Sequence, residues 1–294
     1  MFRGLSGWRL PSFLRSKGNE KVNEEVEEGL VDNLFPGFKM SVEEESRAKY
    51  IFGLNPEQSV VASHETRRAD TQCAYMLPTL DAIVQDRKSR GLKTKVLDVG
   101  CGPGSITIDL AKRIGDAGEV VGVDLSAAVL ETAKVNAEKE GVGNVRFQKA
   151  DVYALPFGDG EFDLVCTHQA VAHFHDHVKA IRELIRVTRK GGGVVCMREG
   201  DLYTARFWPA MAELEECFET ITRVHEANGG AGDAGRRLKR WTVEAGVPRD
   251  NIVATHSAWS YNTEEERKEY GAHWPARCTQ GAFADRAMEI GVSE

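Results

Sequence analysis

Long apolar segments are missing from this sequence of 294 residues. It has no run of about 18 apolar residues, so no membrane-spanning helix is predicted. A secretory signal needs a compact apolar stretch near the start of the chain, and residues 1–21 contain none. We therefore expect neither a membrane span nor export through a cleaved signal.

Cysteine is also scarce. The six cysteines are scattered, and no two of them form a Cys-x-x-Cys pair or another zinc-ligand spacing. Sparse cysteines of this kind are typical of reduced thiols in a cytosol-like compartment. The sequence therefore predicts a cytoplasmic protein and no metal site.

The first 18 residues leave a second location open. They contain four basic residues and no acidic residue, interspersed with apolar ones, which is the composition of a mitochondrial presequence. Pro11 would break the helix that such a signal needs. The alternative to a matrix-targeting signal is a flexible N-terminal tail over residues 1–40.

Positive charge does not dominate this chain. The 45 acidic residues outnumber the 38 basic ones, which gives a net charge of −7. Phosphate contacts need clustered Lys and Arg, so we expect no nucleic-acid partner. Apolar residues make up 41% of the sequence, enough for a substantial core in one large domain or two small ones.

Short apolar strands alternate with helices beyond residue 93. The predicted strands span 95–99, 119–123, 145–149, 162–167 and 193–197, with a sixth over 252–261. Intervening helices are predicted over 106–114, 127–140 and 177–188. This alternation predicts βαβ units and an α/β fold whose doubly wound, mostly parallel sheet is covered on both faces.

A glycine-rich loop follows the first predicted strand and opens the next helix. Residues 96–104 read Val-Leu-Asp-Val-Gly-Cys-Gly-Pro-Gly. Glycines let the backbone turn tightly and let a ligand approach the main chain, beside the free N–H groups of a helix N-terminus. The dinucleotide fingerprint Gly-x-Gly-x-x-Gly would need glycine at Ser105. Asp98 would repel a diphosphate and suits a cationic or amine-bearing ligand.

Polar residues also stand at the ends of the next three predicted strands. Asp124 ends the second strand, where a carboxylate can accept both hydroxyl protons of a ribose. Asp151 follows the third strand and can accept from the exocyclic amine of adenine, while His168 and Gln169 end the fourth. The carboxyl ends of parallel strands share one edge, so together these residues predict a nucleoside site.

The segment 96–197 resembles the class I S-adenosylmethionine-dependent methyltransferases, and particularly the UbiE-like branch that methylates small molecules. Besides the glycine loop, the runs 155–157, 161–163 and 187–193 carry this resemblance. It implies a Rossmann-like sheet and S-adenosylmethionine as the cofactor. It also implies methyl transfer to an oxygen, nitrogen or carbon atom of a small organic molecule, such as a secondary metabolite or a quinone-like ring.

The resemblance assigns cofactor contacts to residues after the first four strands. Those after the first strand would surround the methionine part, and those after the second would hold the ribose and flank the adenine. Those after the third would meet the adenine edge, and those after the fourth would lie near the transferable methyl. The residues are Asp98, Gly100, Gly102, Gly104, Asp124, Leu125, Asp151, Val152, His168 and Gln169.

On this interpretation residues 41–294 form one methyltransferase domain. Residues 41–90 are a helical lid that contains a helix over 63–80, and residues 91–200 are the cofactor-binding core. Residues 201–294 supply the substrate-side helices and the last strand. His64, Arg67 and Arg68 lie on the lid helix, where an arginine could reach the cofactor carboxylate; a solvated helix face is the alternative.

Histidines cluster in the segment 168–177. A general base is needed only when the methyl acceptor must lose a proton, and His173 is our candidate for that role. The alternative is a loop histidine bonded to a backbone carbonyl. Alternating histidines also raise the question of zinc, but a structural site normally takes four ligands and no cysteine lies nearby.

The family's sheet usually ends in a reversed seventh strand, and no apolar strand follows residue 261. We therefore expect the last strand to be missing or another segment to close that edge. An uncovered edge invites association, which keeps a homodimer open. Two other functions also remain open: a non-methylating catalyst or binding module that retains S-adenosylmethionine, and an NAD oxidoreductase.

Overall fold

The computed structural model describes residues 61, 64–272, 278 and 281–292, and the tail predicted over residues 1–40 lies outside them. The described residues form one sheet from five strands: β1 (Thr94–Val99), β2 (Gly118–Asp124), β3 (Val145–Lys149), β4 (Leu164–His168) and β5 (Val194–Arg198). All pairings are parallel, and the strand order is β3-β2-β1-β4-β5. The predicted doubly wound α/β fold is confirmed.

Helices flank the sheet in sequence and in space. Before β1 come α1 (Ala69–Gln72) and α2 (Leu77–Ser89). Between strands lie α3 (Ser105–Ile114), α4 (Ala127–Lys139) and α5 (His177–Val187). After β5 follow α6 (Ala212–Ala227), α7 (Ala234–Glu244), α8 (Glu264–Ala272) and α9 (Gly281–Glu289). None of the described helices combines the length and the apolar character that crossing a bilayer would require.

Each face of the sheet carries its own hydrophobic core, because neighbouring residues of a strand point to opposite faces. On one face, Leu97 of β1 packs in a cluster with Leu184 of α5 and Trp241 of α7. On the other face, Val96 packs in a cluster with Leu80 of α2 and with α3 residues such as Leu110. A sheet buried on both sides in this way explains the continuous apolar runs of its strands.

Two sequence-based predictions were wrong. The helix predicted over 63–80 is interrupted between α1 and α2, and Pro78 stands in the first turn of α2, where its missing N–H costs nothing. The segment 252–261 forms no strand, although its composition favours one. It meets the sheet through side chains, because the Arg198 guanidinium donates to Ser257 Oγ (2.8 Å) and lies 4.5 Å from the Trp259 ring centre.

Asp163 ties together the amino-terminal edge of the sheet, opposite the ends that carry the glycine loop. Its side chain is 2% exposed. The carboxylate accepts from the Lys95 backbone N–H (3.0 Å) at β1 and from Arg189 Nε (2.6 Å) in the turn before β5. Arg87 of α2 lies 3.3 Å from the same carboxylate.

Replacing this buried acid should destabilise the fold. We expect Asp163→Ala to lower the free energy of unfolding by about 2–3 kcal/mol, because it leaves the Lys95 N–H and Arg189 Nε without their acceptor and removes the negative charge beside Arg87. The matched control is Asp159→Ala, since Asp159 is 70% exposed and its partner Arg186 keeps Glu183. That control should cost less than about 0.5 kcal/mol. Urea denaturation measures both, and equal losses would contradict the assignment.

Candidate functional site

A cavity of about 160 Å³ lies at the carboxyl edge of the sheet. The chain winds from β1 towards β3 on one side and from β4 towards β5 on the other, so the cavity sits at the switch point where doubly wound sheets take their ligands. Most of the predicted site residues line it: Asp98, Gly100, Gly102, Asp124, Leu125, Val152, His168, Gln169 and His173.

Gly104 and Asp151 are not among the lining residues. Gly104 precedes α3 with φ of +82°, and an added Cβ would lie 2.8 Å from the Phe147 ring and 2.9 Å from Ala133. Its visible role is therefore to let α3 pack closely on its neighbours. The Asp151 carboxylate accepts from the Tyr153 backbone N–H (2.9 Å). A cofactor contact by either residue stays a prediction.

Gly100 allows two loops to touch. Its φ is +76°, and an added Cβ would stand 2.6 Å from the Cβ of Ala170. Ala170 belongs to the loop that follows β4, so the absence of a side chain at Gly100 lets the loops after β1 and β4 meet. Both residues of this contact line the switch-point cavity.

Two carboxyl groups, a buried one at Asp98 and a partly buried one at Asp124, give the cavity its negative character. Asp98 is 3% exposed, and its carboxylate accepts from Thr107 Oγ1 at 2.6 Å. Burial raises the pKa of Asp98 to about 6. The Asp124 carboxylate accepts from the backbone N–H groups of Gly102 (3.1 Å) and Ser126 (3.0 Å), and burial raises its pKa as well. A cation placed between them would relieve the cost of burying the charged forms.

His168 at the end of β4 is 7% exposed and lines the cavity. Burial, aided by Arg67 and Arg198, lowers its pKa to about 3, so the ring is neutral at neutral pH. Its Nδ1 lies 3.7 Å from Cys73 Sγ, and burial raises the pKa of that thiol to about 12. A protonated thiol can donate to Nδ1, which would place the ring hydrogen on Nε2. That buried Nε2 has no hydrogen-bond partner among the described residues.

The other histidines of the segment 168–177 point to different neighbours. The His173 ring packs edge-on against His225 of α6, with ring centres 4.9 Å apart. His175 is exposed, and His177 begins α5 and stacks on Trp241 at 3.9 Å. No group of three or more His, Cys, Asp or Glu side chains in the described part of the chain is placed to hold a metal ion.

The segment before α1 covers the glycine loop. Ser105 Oγ donates to the His64 carbonyl (2.8 Å), and the Ala69 N–H donates to the Asp109 carboxylate (3.0 Å). His64 and Arg67 line the cavity. Arg68 is exposed, and its guanidinium donates to nearby backbone carbonyls instead. The sequence does not indicate which of these two arginines faces the cavity, whereas the structure shows that Arg67 does.

Glu199 supports the turn that carries His173, and sequence reasoning assigned it no role. It follows β5, and its Oε1 accepts from the Val171 backbone N–H at 2.6 Å. Burial raises the pKa of Glu199 to about 7, against the effect of the surrounding backbone N–H groups. Gln169, which follows the adjacent strand β4, has a φ of +52°. Its backbone N–H donates to the Arg198 carbonyl at the end of β5 (2.8 Å). An acid after the fifth predicted strand was the one available signal.

The cavity also has an apolar wall that the sequence did not predict. Ile106, Val129 and Phe174 line it, from α3, α4 and the loop after β4. Nothing in their local sequence distinguishes these side chains from ordinary core residues. Only the packing of three separate elements turns their surfaces towards one cavity.

Comparisons with known proteins agree with this arrangement. A protein-family model described as a methyltransferase domain matches residues 92–246. An uncharacterized methyltransferase of Schizosaccharomyces pombe is 36% identical over 216 residues, which cover 71% of this chain and 73% of the relative.

Other similar proteins match a shorter part of the chain or have a lower sequence identity. The demethylmenaquinone methyltransferase of Lactococcus lactis is 37% identical over 102 residues, covering 35% of this chain and 40% of the relative, so the match spans less than half of that protein. The solved structure of an S-adenosylmethionine-dependent methyltransferase from Aquifex aeolicus is 24% identical with a TM-score of 0.37. It covers 50% of this chain and 78% of that one.

The buried Asp98 should leave a signature in the pH dependence of stability. Its folded pKa lies above the unfolded value of 3.8, so the folded state holds the proton more tightly. Its contribution to stability is therefore lost as the pH rises from about 4 to about 6. Asp98→Asn should remove this loss. Between about pH 4 and pH 6, its free energy of unfolding should therefore rise relative to that of the wild type by up to about 2–3 kcal/mol.

Urea denaturation at several pH values measures this difference. The control is Asp116→Asn, because Asp116 is exposed before β2 at the opposite edge of the sheet. This control should change the free energy of unfolding by less than about 0.5 kcal/mol, because it replaces an exposed side chain. If the difference in the free energy of unfolding between Asp98→Asn and the wild type did not depend on pH, burial would not be what raises the pKa of this carboxyl.

Proposed function

This chain belongs to the methyltransferase domain family, and from that premise we propose that its methyl acceptor is a small organic molecule. The activity itself is S-adenosylmethionine-dependent methyl transfer, and the sequence-based prediction of this enzyme class and cofactor is confirmed. One observation carries the proposal for the acceptor. Beside the glycine loop and the turn after β4, the cavity at the switch point has an apolar wall formed by Ile106, Val129 and Phe174.

The residues of the cavity fit S-adenosylmethionine. When bound, this cofactor supplies a methyl group on a positively charged sulfonium sulfur, which is already activated for displacement. Asp98 would provide negative charge that suits a sulfonium or an ammonium group, and Asp124 would accept hydrogen bonds from the ribose hydroxyls. The positive-φ glycines at 100 and 102 would let a ligand approach the backbone. Arg67, which lines the cavity, would pair with the cofactor carboxylate.

The turn after β4 is proposed to face the acceptor. His168 is neutral at neutral pH, so its role would be to position an acceptor or cofactor oxygen by donating from Nε2. His173 is retained as the general base for acceptors that must lose a proton. Glu199 would hold the backbone of this turn in place, through the bond to Val171.

The protein's own contribution is then alignment and exclusion of water. The backbone segment at 64–69 is fastened to α3 by the bonds of Ser105 and Asp109, which hold it beside the cavity. The apolar wall formed by Ile106, Val129 and Phe174 favours a planar or apolar molecule. The name of the Lactococcus lactis relative suggests a quinone-type ring as one acceptor to test.

The proposal also includes the domain extent, the cellular location and the oligomeric state that the sequence predicts. Residues 41–294 act as one methyltransferase domain, whose first part lies outside the described residues. The protein is proposed to work in the cytoplasm, or in the mitochondrial matrix if residues 1–18 act as a signal. A homodimer remains a prediction.

Binding of the carboxylate end of the cofactor can be tested at Arg67. We expect Arg67→Ala to raise the Kd for S-adenosylhomocysteine about tenfold or more, because an ion-paired hydrogen bond is lost. The Kd for 5′-methylthioadenosine, which lacks the amino-carboxylate end, should not change. Arg68→Ala is the matched control and should leave both values unchanged, since Arg68 does not line the cavity. Equal losses for the two ligands, measured by calorimetry, would refute this placement.

Methyl transfer to a small molecule can be tested with methyl-labelled S-adenosylmethionine. We expect label in a small-molecule fraction, with quinone-type and phenolic compounds as first candidates, and stoichiometric S-adenosylhomocysteine. His173→Ala should lower kcat about 10²- to 10⁴-fold with little change in KM for the cofactor. His175→Ala is the matched control, two positions away and exposed. Label in protein or nucleic acid, or no S-adenosylhomocysteine, would overturn the proposal.

A further inference from the structure

Two of the six cysteines lie away from the sheet and meet each other. Cys217 is on α6 and Cys278 lies between α8 and α9, 61 positions further along the chain. Their Sγ atoms are 3.9 Å apart. Both side chains are half-buried, and both are reduced thiols.

The remaining four cysteines are buried, and their environment makes them poor nucleophiles. Burial raises the pKa of Cys73 and of Cys196 to about 12. Burial also raises the pKa of Cys101 and of Cys166 well above the usual range. The thiolate is the reactive form of cysteine, so the buried four should stay protonated and inert while the partly exposed pair can react.

We propose that Cys217 and Cys278 form a redox modification site, an intramolecular disulfide made by exchange with a small-molecule disulfide such as oxidised glutathione. A disulfide bond is about 2.05 Å long, so the two sulfurs must approach each other by about 2 Å to form it. The inference does not depend on which acceptor the enzyme methylates.

The chemistry balances with that oxidant. The thiolate of one cysteine attacks oxidised glutathione, which forms a mixed disulfide and releases one glutathione thiolate. The second cysteine loses its proton and attacks the protein sulfur of the mixed disulfide, which releases the other glutathione. The protein gives up two hydrogens and two electrons and gains one S–S bond, and the oxidant becomes two thiols.

The bond would fasten a helix that borders the active-site cavity. On α6, His225 packs against His173, and its Nε2 lies 3.2 Å from the Ala172 carbonyl oxygen. The same helix is already held near its end by Arg286 of α9, which donates to Asn228 Oδ1 (3.0 Å) and to the Ala227 carbonyl (2.9 Å). Oxidation would therefore add a covalent restraint between α6 and the chain that leads into α9.

The test uses the full chain, reduced and then treated with oxidised glutathione. Peptide mass spectrometry without reduction should find Cys217 linked to Cys278, with no glutathione retained on either. The oxidised chain should unfold at a Tm several degrees above that of the reduced chain, because the link restricts the unfolded state. Dithiothreitol should reverse both changes.

Single variants show whether both cysteines are needed. Cys217→Ser and Cys278→Ser should each keep one glutathione as a stable mixed disulfide and show no rise in Tm on oxidation. Mapping of the linked peptides in the wild type needs no variant, so the test holds even if a substitution impairs folding. Glutathione retained on the wild-type pair, a link to another cysteine, a link between two chains or no reaction at either thiol would each overturn the proposal.

Discussion

The contact between Gly100 and Ala170 is the constraint on which the active site depends. It brings together the loops after β1 and β4, the two adjacent strands from which the chain winds in opposite directions. Any side chain at Gly100 would overlap the Ala170 Cβ, so the two loops would separate at the point where they line the cavity. The parallel pairing of Val96–Asp98 with Leu164–Cys166 sets the register of this contact.

The same edge of the sheet concentrates groups whose burial is unfavourable without a ligand. Asp98 and Asp124 are carboxyl groups with raised pKa, and His168 buries an Nε2 that has no hydrogen-bond partner among the described residues. Such groups lower stability unless something meets their charge or hydrogen-bonding capacity. A cationic nucleoside with several polar atoms supplies both the opposite charge and the hydrogen-bond partners. The groups that destabilise the empty cavity therefore favour binding of such a ligand.

Much of this could be predicted from the sequence, and the failures have clear causes. The strand-helix alternation and the acids at strand ends are local patterns, so the sheet and most lining residues followed from them. Pro78 is a local signal that was overlooked, and it divides the helix predicted over 63–80. The segment 252–261 has strand composition, but a strand also needs a backbone partner, and here Arg198 makes side-chain contacts instead.

By itself, the sequence determined the doubly wound fold, the glycine loop and the family of the enzyme, because each of these is encoded by short-range spacing. Tertiary structure alone decided that Arg67 rather than Arg68 faces the cavity, that Glu199 holds the turn of His173, and that Cys217 meets Cys278. These facts depend on how distant segments pack, and no pattern within one segment records which side of a neighbouring element it will meet.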